Sequence, residues 1–251
     1  IENIQITGHN YVGGLVGKND AIIKGCYVTG SVNGTDSSIG GLVGLMSGRT
    51  ITGCYVSGLV SGIDHVGGLV GYNSGGTISS SYTTASVSGT GNYVGGLVGL
   101  SIYGSLTACY ATGPVIGGGY SVGGLVGEND YTVWITGCYA TGSVSGKRTV
   151  GGLVGANLYA GYIVSCYASG SVSGTDVYVG GLVGGNAGYI STCYANGSAS
   201  GEESVGGLVG YQYSGTIAGC FATGWGNGGA KVGGLMGWNN SGTINANFWD
   251  M

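Results

Sequence analysis

The sequence predicts an all-β chain, a single parallel β-solenoid (β-helix) of about nine coils of about 27 residues. One continuous body over residues 1–251 is expected. Three observations carry this. Gly-Gly-Leu recurs with its first glycine at Gly13, Gly40, Gly67, Gly95, Gly123, Gly151, Gly180, Gly206 and Gly233, at spacings of 26 to 29. A second landmark follows each: Cys26-Tyr27, Cys54-Tyr55, Ser81-Tyr82, Cys109-Tyr110, Cys138-Tyr139, Cys166-Tyr167, Cys193-Tyr194, Cys220-Phe221 and Asn247-Phe248. After that landmark the residues alternate with a period of two, the signature of a half-buried strand.

In the segment from Cys138 to Gly146 one face carries Cys138, Ala140, Gly142, Val144 and Gly146, and the other Tyr139, Thr141, Ser143 and Ser145. Glycine at this density and β-branched residues both disfavour a helix. Gly-Gly-Leu-Val-Gly supplies a second strand. Strict alternation would put Leu125 opposite Val122 and Val126, leaving a column of leucines on the surface. A bend at the glycines that turns both Val122 and Leu125 inward is therefore expected. A third short strand is expected at Ile51, Ile78, Leu106, Ile135, Ile163, Ile190, Ile217 and Ile244. The charged connections (Thr35-Asp36, Ile63 to His65, Lys147-Arg148, Glu202-Glu203) read as surface loops. Asn19, Asn73, Asn129, Asn157, Asn186 and Asn239, with Gln212 as near-equivalent, form an amide ladder that Met46 and Ser101 break.

Composition excludes several classes. Of 251 residues 61 are glycine and one is proline, with no Gly-X-Y period, so the chain is not collagenous. Low charge with 43% hydrophobic residues argues against disorder. A net charge of −4 without a basic run gives no nucleic-acid footprint. No apolar stretch reaches the roughly 20 residues of a membrane-spanning helix, so no membrane insertion is expected. The first residue is Ile1, which reads as a piece of a longer parent protein with flanking domains.

Val122 to Gly127 followed by Cys138 to Gly146 resembles the GLUG motif, whose core stands here as Gly124-Leu125-Val126-Gly127. The resemblance covers the whole chain, and Asn247-Phe248-Trp249-Asp250 is similar to the element that ends such arrays. It implies a large secreted or surface-anchored microbial protein, such as an adhesin-like protein or an immunoglobulin-A-cleaving metallopeptidase. In those proteins the repeats resemble stalks or adhesive modules, and catalysis lies elsewhere. The implied localisation is extracellular or at the cell surface, with a host or surface glycan or protein as partner. The family brings no catalytic residues.

The chemistry legible in the residues agrees. The seven cysteines are odd in number and share one repeat position, so free buried thiols acting as small hydrophobes are expected. There is no HExxH, no CxxC, no phosphate loop and no calcium-binding nonapeptide, and no metal or cofactor is implied. Glu128 and Asp130 read as a solvated corner. The candidate binding strip is the outward column Tyr27, Tyr55, Tyr82, Tyr110, Tyr139, Tyr167 and Tyr194, continued by Phe221 and Phe248. It reads first as a self-stacking ladder and second as a glycan- or protein-binding strip. The chain thus reads as a non-catalytic structural or adhesive repeat module. A carbohydrate-binding or carbohydrate-cleaving β-helix is the alternative, and an ice-binding solenoid the third.

Overall fold

The computed structural model describes residues 1–250; Met251, the last residue of the expected solenoid, lies outside them. The described residues form strands and turns without a helix, coiled into a parallel β-solenoid of nine turns. Each coil contributes one strand to each of two nine-stranded sheets and, up to the eighth, two or three strands to a third, to which the ninth adds Phe248–Trp249. In the fifth coil these are Val126–Asp130, then Trp134–Thr136, then Tyr139–Ala140, Val144–Gly146 and Arg148–Gly151. Every pairing is parallel and joins equivalent positions, Val126 with Val154, Ile135 with Ile163 and Tyr139 with Tyr167. Identical residues therefore form columns along the axis.

The coil closes through two sharp corners built from single left-handed residues. One precedes the Cys position, with φ from 47° to 62° at Gly25, Gly53, Ser80, Ala108, Gly137, Ser165, Thr192, Gly219 and Ala246. The other precedes the Val of Val-Gly-Gly-Leu, with φ from 51° to 67° at Tyr11, Ser38, His65, Tyr93, Ser121, Thr149, Tyr178, Ser204 and Lys231. The second set contains no glycine, although this region favours glycine. Parallel ladder bonds on both sides hold these residues there.

The bend at Gly-Gly-Leu is present, and Val122, Leu125 and Val126 are all fully buried. Its glycines are required by close backbone approach. A Cβ on Gly123 would lie 2.0 Å from the Val126 carbonyl oxygen, and one on Gly124 2.1 Å from that of Gly152. Stacked columns of Leu42 to Leu208, Ile51 to Ile217 and the valines fill the interior, so each coil is packed by its two neighbours. The terminal coils differ, with Leu15 37% and Ile244 42% exposed.

One detail departs from the sequence reading and a second sharpens it. The charged connections are largely strand: Asp64–Gly67, Arg148–Gly151 and Ala199–Gly206 run through them in register with their neighbours. Their side chains alternate across a strand, so partial exposure needs no loop. Gly142 is buried as expected, but it is not spared for core volume. A Cβ there would lie 2.0 Å from the Gly113 carbonyl oxygen in the preceding coil.

Candidate functional site

The inner corner that leads into the tyrosine strip is a relay of side-chain hydrogen bonds. The Cys138 Sγ accepts the Cys109 N–H at 3.3 Å and donates to the Thr136 carbonyl at 3.3 Å. Cys166 does the same for Cys138 and Val164, and Cys54 for Cys26 and Thr52. The thiols are free, and all but the half-buried Cys26 are buried. Four of them do more than the hydrophobic filling expected: Cys54, Cys138, Cys166 and Cys193 each accept an N–H that the ladder leaves over at the corner. Ser81 substitutes by accepting the Cys54 N–H at 3.1 Å and donating to the Ser79 carbonyl at 2.8 Å. Asn247 accepts the Cys220 N–H at 2.8 Å. Burial pushes the Cys54 thiol above its usual range, against the lowering effect of the Cys26 N–H.

One residue beyond this relay stands the ring of the strip. Because the Cys–Tyr spacing never changes, the rings superpose from coil to coil. Tyr27, Tyr55, Tyr82, Tyr110, Tyr139, Tyr167 and Tyr194 stack in six consecutive pairs with centroids 4.6 to 5.2 Å apart and planes within 8°. Phe221 and Phe248 continue the column by strand register. The faces of the inner rings cover one another, leaving edges and hydroxyls outward. Burial, then the neighbouring phenols, raise Tyr139 above the ordinary tyrosine range, so its hydroxyl keeps its proton.

The opposite inner corner carries the amide ladder. Asn129 Nδ2 donates to Asn157 Oδ1 at 2.7 Å, Asn157 to Asn186 at 2.7 Å, and Asn186 to Gln212 Oε1 at 2.9 Å. Asn73 donates to Ser101 Oγ at 3.1 Å, so Ser101 ends one run of the ladder. The buried Asn129 Oδ1 has no hydrogen-bond partner. Asn19 and Asn239 bond within their own turns.

Outside this corner lie two short aromatic ladders that the sequence reading missed. Tyr103, Tyr131 and Tyr159 stack at 5.1 and 4.9 Å. Trp134, Tyr162 and Tyr189 stack at 4.0 and 5.0 Å. The signal was available: an aromatic stands two residues after Ser101, Asn129 and Asn157, and another directly before Ile135, Ile163 and Ile190.

A third aromatic group flanks the Gly-Gly-Leu bend. His65 stacks on Tyr72 and Tyr93 at 5.5 and 5.1 Å, and burial lowers its pKa. Arg148 lies over Tyr120 and Tyr178 at 5.7 and 5.1 Å. Glu128 accepts from the Ser121 hydroxyl at 2.8 Å, and burial pushes its pKa up to about 7. Asp130 is 8% exposed, so Glu128 and Asp130 form a desolvated pair of acids rather than the solvated corner expected. Among the described residues no group of three or more His, Cys, Asp or Glu side chains is placed to hold a metal ion.

These observations define a repeat solenoid whose coils hold one another through stacked side-chain columns. The GLUG motif model matches residues 8–33, 64–88, 90–116 and 201–227, so GLUG-motif repeats stand at four places along the solenoid. No curated protein matches the chain. A crystal structure from Bacteroides ovatus, described as that of a "putative immunoglobulin A1 protease", is similar with a TM-score of 0.56 and 23% identity. The likeness covers 69% of this chain and 59% of that one, and it shows a common fold.

Proposed function

We propose that this chain is a non-catalytic structural and adhesive repeat module of a microbial cell-surface or secreted protein, with the tyrosine strip as its contact surface. The observation that carries the reading is the unbroken seven-ring ladder. Face-to-face stacking stiffens the rod along its axis and presents a row of phenol edges and hydroxyls at a repeat of about one coil. Such a row suits a surface glycan or a host protein through many weak contacts that gain strength by repetition.

The acids support a structural rather than catalytic reading, since several tie one coil to the next. Asp64 accepts the Asn92 N–H at 2.5 Å, Glu203 pairs with Lys231, and Asp36 lies 3.5 Å from His9. The test is binding to a glycan and host-protein array by the chain and by a Tyr110→Ser, Tyr139→Ser, Tyr167→Ser triple variant. The reading expects binding by the chain and its loss in the still-folded variant. An unchanged profile would remove the strip from the adhesive role.

A further inference from the structure

Stacked rings hide their faces from ligands, so an open aromatic face occurs where a ladder ends. The Tyr103–Tyr131–Tyr159 ladder ends abruptly. Between Asn157 and Tyr162 the sixth coil has four residues, and between Asn186 and Tyr189 the seventh has two. The longer corner is a tight turn in which the Gly161 N–H donates to the Leu158 carbonyl at 3.0 Å. Tyr159 and Ala160 occupy its centre with φ of 41° and 63°. Two non-glycine residues in this region store backbone strain. The turn holds Tyr159 out from the rod, 63% exposed, with Tyr131 against one face. On the other side no ring follows. A cleft of about 350 Å³ opens there, lined by Leu158, Tyr159, Ala187 and Ser214.

We infer that this ledge is a binding site for one neutral hexopyranose ring of a glycan, with the open face of Tyr159 as its platform. The electron-rich ring face attracts the polarised C–H face of a sugar. Leu158 and Ala187 supply the apolar floor. The Ser214 hydroxyl, held only by a long 3.5 Å contact to the Ala187 carbonyl, is available to a sugar hydroxyl. No charged side chain lines the cleft, so nothing offsets the desolvation of a sugar carboxylate, sulfate or nucleic-acid phosphate. That complementarity selects a neutral ligand. The volume lies at the small end of ligand sites and suits a single ring rather than a buried chain. The site is on a different face from the tyrosine strip and stands independently of the strip's role.

The experiment is saturation-transfer NMR with methyl β-D-galactopyranoside, methyl β-D-glucopyranoside and methyl α-D-mannopyranoside, each at millimolar concentration. The chain is compared with Tyr159→Gly, Tyr159→Phe and the strip triple variant. Glycine relieves the left-handed strain at this position, so loss of binding in Tyr159→Gly is not a folding defect. The expected result is transfer to ring-face protons of at least one glycoside, weakened about tenfold in Tyr159→Gly. Transfer should be retained in Tyr159→Phe and in the triple variant. No transfer from any glycoside, or equal transfer in Tyr159→Gly, overturns the site. Loss in the triple variant alone would move sugar binding to the strip. Transfer to a proline-rich peptide in place of the glycosides would assign the ledge to a protein partner and also overturn the proposal.

Discussion

Two inner corners of the solenoid each carry a polar relay with aromatic rings stacked outside it, yet one bears a single ladder of seven tyrosines and the other two ladders of three rings each. At the cysteine corner every coil places its ring one residue after the relay. At the amide corner the connection to the next strand varies from two to four residues, and the relay itself is interrupted at Met46 and Ser101. The difference teaches that a long ladder needs an aromatic at the same distance from its anchor in every coil. Where every coil supplies it, the column is a structural member. Where that position carries no aromatic, as at Gly75 and Gly188, the column ends, and an end exposes an aromatic face.

The sharpest break of the regular corner is Gly142→Val. Its Cβ would strike the Gly113 carbonyl, and neither backbone can move without disturbing the next coil. Urea unfolding should show a loss of about 4 kcal/mol or failure to fold, beyond ordinary overpacking. Next in size is Cys138→Val, which keeps volume but leaves the buried Cys109 N–H without an acceptor. The expected cost is about 2 kcal/mol, and Cys138→Ser should cost less because Ser81 already fills the role. Equal losses in the two variants would return the thiols to simple hydrophobic filling.

Glu128 stands in the strand that leads into the amide corner, and its titration separates the two regions. Its folded pKa of about 7 lies above its ordinary 4.5, so the native state binds the proton more tightly than the unfolded chain. Its contribution is complete below pH 4.5 and is lost as pH rises through about 7. Glu128→Gln should therefore be more stable than the parent by about 2 kcal/mol at pH 8, with no difference at pH 4. His65 works in the opposite direction. Its lowered pKa means that stability falls as pH drops below 6.5, and a His65→Phe variant separates the two. The smallest effect is a gain. Ser101→Asn offers an amide N–H to the unpartnered Asn129 Oδ1 and joins the two runs of the ladder. It should stabilise by about 1 kcal/mol in thermal melts.

The coils, their register and the inward turn of Leu125 were legible because Gly-Gly-Leu and Cys-Tyr repeat together, and a parallel solenoid stacks like on like. The ring ladder followed from the same register. The thiol relay was not legible, because hydropathy treats cysteine as apolar and does not count the N–H left over at a corner. The second corner was hidden for another reason: Tyr11, Thr149 and Lys231 give no hint of left-handed backbone, which the flanking ladder bonds impose. The ledge at Tyr159 escaped notice because it depends on a shortening of the next coil rather than on a motif. Glu128 and Asp130 looked solvated because sequence gives no measure of the strands and rings packed beside them.

The central claim is that the seven-ring column holds the rod while the end ring of the short column does not. Thermal unfolding of the Tyr110→Ser, Tyr139→Ser, Tyr167→Ser variant beside Tyr159→Gly tests it most directly. Removing three adjacent rings abolishes four stacked pairs, Tyr82 with Tyr110 through Tyr167 with Tyr194, and should cost about 2–4 kcal/mol. Tyr159→Gly loses one pair but relieves a left-handed tyrosine, so its melting temperature should match or exceed that of the parent. A triple variant that melts with the parent, or a Tyr159→Gly variant destabilised as much as the triple, would contradict the account.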